Sequence, residues 1–221
     1  MKNKINIPAS QQEIKNKVKD SIFWGNIKHI NSKEEAEDFI NSIKEKYHDA
    51  SHNVSAYVIA GREENMEYYN DDGEPSKSSG PPILETIKGK ELVNTVIVVT
   101  RYFGGTKLGI GGLIRAYGGT AKKAIDKADI KELNLYYYIK ASGNYQIVGS
   151  ILGQIEAFHG KIKETEYTEK GVEVFFYLRP KAYPNLKDRL RENTGDKTKF
   201  EILNKLYLWK LLLIDIIIKG R

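Results

Sequence analysis

Between Thr100 and Gly119 the chain reads TRYFGGTKLGIGGLIRAYGG, a set of residue types suited to holding an anion. Seven of the 19 glycines fall between Gly104 and Gly119, and Arg101 to Lys123 contains five bases and no acid. Glycine permits positive φ and lets a phosphate or another backbone approach closely. A strand, a glycine-rich turn and a helix start in succession present free N–H groups that attract negative charge. Arg101, Lys107 and Arg115, with Gly104, Gly105, Gly111 and Gly112, are therefore the candidate phosphate or nucleic-acid contacts. Tyr102 and Phe103 either offer rings for base stacking or end a strand with one ring inside and one out. The loop is not a Walker motif, because Gly-Lys-Ser/Thr is missing. Nor is it a dinucleotide fingerprint, because Gly109-Ile110-Gly111 leads to Ile114 where glycine is required.

A second stretch, Asp71 to Pro82 (DDGEPSKSSGPP), is polar and leads into a helix. Six carboxylates lie from Glu63 to Glu74. Asp71, Asp72 and Glu74 could hold a divalent cation or act as bases, although the ligand alternation of a calcium loop is absent. The other reading folds this acidic loop onto basic neighbours, Arg101 and Arg115 among them. Ser76, Ser78 and Ser79 stand where they could cap the helix or bind an anion with its free N–H groups. No positioned base and no G-x-S-x-G support a serine nucleophile. His48 and His52 have helical metal-pair spacing but straddle an expected helix end, so they read as a polar loop pair. His29 and His159 have no partner visible in the sequence.

These residues need a scaffold, and 221 residues are enough for two small domains. The absence of cysteine excludes disulfides, thiol catalysis and cysteine metal sites, and fits a reducing cytoplasm. No secretory signal opens the chain, and Leu211 to Ile218 is shorter than the about 20 residues of a membrane span. A soluble, cytoplasmic protein is expected, with that apolar run a terminal strand or buried tail. The net charge of +6 is uneven: residues 1–130 carry 19 bases against 18 acids, residues 131–221 carry 16 against 11. The basic second half suits an anionic partner such as RNA, or is ordinary solubility charge.

Hydrophobic periodicity supplies the elements. A first strand is expected over 21–30, then a helix over 33–47 with Ser32 and Glu35 as a capping box. A hairpin over 54–60 and 66–69 turns at 61–65, a short helix spans 81–89, and a buried strand spans 96–99. A helix from about Leu113 to Ala128 follows the glycine-rich loop. The second half reads strand 133–141, helix 147–158, hairpin 161–168 and 172–178, helix from Pro184 to about Asn193, and strand 200–208. That βαββαβ order is ferredoxin-like. The domains are accordingly set at 1–130 and 131–221, in an α+β chain.

At His52-Asn53 with Ala56-Tyr57, at DDGEPS (71–76) and at TRYFGGTKLGIGGLIRAYG (100–118), the chain resembles the IMPACT family, in its bacterial YigZ- and YvyE-like branch. The order and spacing match over roughly residues 20–130, a far more specific pattern than any one block. Lys77 stands where the family usually has glycine, and Val54-Ser55 replace an aromatic-containing version of the His-Asn block. The resemblance implies a first domain like the second domain of a small-subunit ribosomal protein and a ferredoxin-like second domain. In eukaryotic members the family binds a ribosome-associated activator and restrains a kinase acting on translation initiation. For a bacterial-type chain only a general link to translation carries over, and the resemblance brings no catalytic residue.

The leading expectation is a translation-associated binding protein, not an enzyme and without a cofactor, contacting RNA or the ribosome through the basic loop. The alternatives are a phosphorylated-ligand binder or enzyme at that loop, and a protein-protein adaptor using the acidic loop.

Overall fold

A computed structural model describes residues 2–61 and 64–208 of the chain. It divides into two compact units, Ile5–Glu132 and, with Lys2–Lys4, the residues from Leu133 onward. The elements in order are β1 (Lys4–Pro8), β2 (Gln12–Val18), β3 (Ser21–His29), α1 (Lys33–Lys46), β4 (His52–Ile59), β5 (Met66–Asn70), α2 (Gly80–Gly89), β6 (Thr95–Tyr102) and α3 (Ile110–Lys127). There follow β7 (Ile130–Gly143), α4 (Val148–Ala157), β8 (Lys161–Thr168), β9 (Gly171–Leu178), α5 (Tyr183–Thr194) and β10 (Lys199–Leu208).

In the first unit, the strands form an antiparallel sheet in the order β2-β3-β6-β4-β5. Its centre, β6, is the β-branched run TVIVVT, buried on both faces. Val96 and Val98 pack with Phe39, Ile40 and Ile43 of α1 on one side. On the other side α3 lies over β2 and β3, and α2 over β4. Gly25 in β3 lets α3 settle closely, since a Cβ there would stand 3.0 Å from Thr120 Cγ2. Phe23, fully buried and edge-on to Tyr117, fastens α3 to the sheet; truncating such a ring to alanine costs about 3–5 kcal/mol.

Helix α1 begins where its sequence places it. Ser32 Oγ accepts the Glu35 N–H, and Glu35 reaches back to the Asn31 N–H, one residue before the partner of a standard capping box. Helix α3 begins at Ile110, a turn before the expected start, because glycines 111 and 112 lower helix propensity and hide the first turn. Strands β1 and β2 were not expected at all. β2 is a sheet edge carrying Lys15 and Lys17, mostly half-exposed, so it lacks the apolar alternation that reveals a strand.

In the second unit the neighbours run β10-β7-β9-β8, all antiparallel, which is the ferredoxin-like order. β1 also pairs with β7. Ile139, Ala141, Val174 and Phe176 of the sheet pack with Ile151 and Ile155 of α4 and Leu186 and Leu190 of α5. The apolar run Leu211–Ile218, and Arg62 and Glu63 of the expected 61–65 turn, lie outside the described residues.

Candidate functional site

The antiparallel register of β4 and β6 sets His52 opposite Arg101 and Asn53 opposite Thr100. The acidic loop after β5 then folds back over this pair. Asp72 Oδ2 accepts the Asn53 backbone N–H at 2.6 Å, Oδ1 accepts from Lys44, and its carbonyl accepts from His52 Nδ1 at 2.8 Å. Asn53 Oδ1 accepts the Thr100 hydroxyl. Glu74 Oε1 accepts from both Arg101 Nη1 and the Tyr117 hydroxyl, each at 2.7 Å. The three separated sequence blocks thus become one hydrogen-bonded cluster.

Within it, Asp71 has a different task from Glu74. Its Oδ1 accepts the Ser79 N–H, the Ser79 hydroxyl and the Gly80 N–H, and its Oδ2 accepts the Lys77 N–H. Asp71 therefore satisfies the N-terminus of α2, a role the sequence assigns to the serines. Ser79 instead donates to Asp71, Ser78 donates to the Pro75 carbonyl, and Ser76 is exposed. Burial would raise the Asp71 carboxyl, but the Ser79 hydroxyl and the Gly80, Lys77 and Ser79 amides outweigh it and hold it below its ordinary value. With these oxygens committed, Asp71 and Asp72 are loop-building groups. Among the described residues no cluster of three His, Asp or Glu side chains is arranged for a metal. His48 lies in the turn after α1 and His52 opens β4, so the two do not share a helix face.

The basic candidates separate into two groups. Arg101 is buried, 5% exposed, between the rings of Phe23 and Phe103, and it is bound to Glu74. It lies beneath the basic surface rather than on it. Lys107 and Arg115 are exposed and make no ion pair or hydrogen bond among the described residues. Lys122, which sequence reasoning did not single out, shares that condition, and it stands two helical turns beyond Arg115 on the same face of α3.

The rings also part company. Tyr102 turns toward Tyr47 on the α1 side, and its hydroxyl donates to Asp49, which pushes its pKa up to about 12. Phe103 stays with Arg101 and is 47% exposed. The glycines divide likewise. A Cβ on Gly104 would fall 2.0 Å from the Asp20 carbonyl oxygen, so the close approach it permits is to the β2–β3 turn. Gly105 has positive φ and open space around it. Gly111 and Gly112 form the first turn of α3, whose N-cap, Gly109, offers no side-chain acceptor.

A cleft of about 520 Å³ opens at this first turn. His52, Glu74 and Arg101 line its polar part, while Phe103, Leu108 and Leu113 supply apolar wall. Sequence reasoning missed His52, Asn53 and Tyr117 as members of the cluster. The signal was the position of Tyr117 four residues after Leu113 on one helix face, and the His-Asn block itself.

Two α+β units, one with a five-stranded antiparallel sheet and one ferredoxin-like, with the clustered motif blocks in the first, define a bacterial-type IMPACT architecture. The chain belongs to the IMPACT family: it matches the Impact N-terminal domain over residues 19–125. Residues 144–197 match a domain of unknown function (DUF1949). The chain is 36% identical over 193 residues to the IMPACT family member YvyE of Bacillus subtilis (strain 168), covering 87% of this chain and 88% of that protein. It is 32% identical over 165 residues to the IMPACT family member YigZ of Escherichia coli (strain K12), covering 73% and 79%. A crystal structure of an hypothetical protein superposes with a TM-score of 0.62 at 25% identity, over 92% of this chain and 99% of that one. No helix among the described residues is long and apolar enough to cross a membrane.

Proposed function

We propose that this IMPACT family member is a non-catalytic, cytoplasmic, translation-associated binding protein that holds RNA, ribosomal RNA included, along the start and outer face of α3. One observation carries the reading. Lys107, Arg115 and Lys122 are exposed and uncommitted among the described residues, in a stretch from Arg101 to Lys123 that holds no acid. Exposed cations without carboxylate partners are available for phosphates, and the free N–H groups of the first turn of α3 add to the attraction. The basic balance of residues 131–221 supports the same choice of partner.

The test is Lys107→Ala in the full chain, with single-stranded RNA binding measured at two salt concentrations. Removing one lysine–phosphate interaction should flatten the logarithmic salt dependence by about 0.7. Melting should hardly change, because an exposed unpaired lysine contributes little to folding. Unaltered affinity at both salt concentrations would remove the loop from the RNA-binding surface.

A further inference from the structure

We infer that the cleft at the start of α3 takes a single nucleobase of a phosphorylated nucleoside and selects bases that carry an exocyclic amino group. The inference rests on the phosphate-binding reading above and adds to it a recognition pocket. Its centre is Glu74, which is 8% exposed. Its Oε1 is doubly engaged by Arg101 and Tyr117, while its Oε2 accepts no hydrogen bond among the described residues. Glu74 lines the cleft, so Oε2 is placed to accept a hydrogen bond from a donor bound there.

A second acceptor stands beside it. His52 Nδ1 lies 2.8 Å from the Asp72 carbonyl oxygen, which can only accept, so the proton of the neutral ring is on Nδ1. In the neutral ring Nε2 presents its lone pair, 3.9 Å from Glu74 Oε2. Two acceptors at this separation call for a ligand edge with two N–H donors. The amino groups of adenine and cytosine, and the N1–H and amino group of guanine, provide that. Uracil offers one N–H between two carbonyl oxygens, which would face the carboxylate unfavourably.

The walls suit a flat ring. Phe103 offers an exposed face for stacking, and Leu108 and Leu113 close the apolar side. The cleft volume of about 520 Å³ lies within the range of small-ligand sites. Lys107, Gly109 and Ile110 line the same cleft, so a phosphate attached to the base has the lysine and the uncapped first turn of α3 to meet it.

The experiment titrates the full chain calorimetrically with AMP, CMP, GMP and UMP, with inorganic phosphate, and with short single-stranded homopolymers of A, C and U. The amino-bearing nucleotides should bind about ten-fold tighter than UMP. Phe103→Ala should weaken them by about ten-fold, measured at a temperature where the melting curve shows the variant still folded. If free nucleotides fail but the A and C homopolymers outbind the U homopolymer, the base comes from RNA and the inference stands. Equal binding of all four nucleotides, or a match by inorganic phosphate, overturns it. RNA binding that ignores base identity overturns the base pocket alone and leaves the RNA surface. Failure of every nucleotide and RNA probe removes both.

Discussion

Arg101 Nη1 and Glu74 Oε1 stand 2.7 Å apart, with both side chains almost wholly withdrawn from water. This pair ties the end of β6 to the acidic loop, and through the Tyr117 hydroxyl it reaches α3 as well. Arg101 Nε is sealed without a partner, so the guanidinium is held by few bonds for its burial. Such a pair is a weak net stabiliser while intact, and its rupture is expensive because one charge is left buried alone.

Arg101→Ala and Glu74→Leu should each lower unfolding free energy in urea by about 3–5 kcal/mol. The double variant Arg101→Met with Glu74→Leu should lose less than either single change, because no unpaired charge remains. Single variants within about 0.5 kcal/mol of wild type, as at ordinary surface positions, would show that the pair does not hold the loop.

The Asp71 carboxyl gives the loop a pH dependence with a defined sign. Its four N–H and O–H donors lower its pKa on folding below the ordinary value of 3.8. Such a group contributes its full stability above 3.8 and loses it as pH falls through the depressed folded value. Asp71→Asn should therefore be less stable than wild type by about 1 kcal/mol near neutrality, because charge-assisted bonds become neutral and an amide NH2 replaces one of the two accepting oxygens. The gap should narrow below pH 3.8. A gap that stays constant through the acid limb of the melting curve would mean that the carboxylate charge is immaterial.

Lys77 sits at φ +62, in the left-handed region, with its N–H held by Asp71. A side chain there costs about 1–2 kcal/mol relative to glycine, partly offset by the greater freedom that glycine loses on folding. Lys77→Gly should raise stability by about 0.5–1 kcal/mol. A fall in melting temperature would instead mean that the lysine side chain contributes packing that outweighs the backbone strain.

Much of this fold is legible from pattern alone, and the reasons are local. α1 announces itself through Ser32, Glu35 and the spacing of Ala36, Phe39, Ile40 and Ile43, all buried as that spacing requires. The hairpin of β8 and β9 turns at Gly171, whose φ of +145 needs glycine. β2 stays hidden because an edge strand gains its place from backbone pairing with β3 rather than from an apolar face. The candidate site is legible only in pieces. Composition marks Arg101 and Glu74 as opposite charges in informative segments, but their meeting depends on the β4–β6 register. Lys122 was overlooked because its value lies in lacking a partner, which only the folded arrangement of neighbours decides. Gly104 and Gly105 look alike in sequence, yet one packs against Asp20 and the other faces open space.

Gly119 offers a way to separate stability from binding on the outer face of α3. It lies four residues after Arg115 and three before Lys122, on the same helix face, and a Cβ there would meet nothing within 4 Å. Glycine inside a helix costs about 1 kcal/mol relative to alanine, and open space removes any steric objection to the change. Gly119→Ala should therefore raise stability in urea by about 0.5–1 kcal/mol. If RNA backbone lies along Arg115 and Lys122, the added methyl stands between them where a phosphate must approach, and RNA affinity should fall although the fold is firmer. That opposite movement of stability and binding is one that general destabilisation cannot produce. A stabilised Gly119→Ala chain with unchanged RNA affinity would place the nucleic acid elsewhere and confine any contact to Lys107 and the first turn of α3.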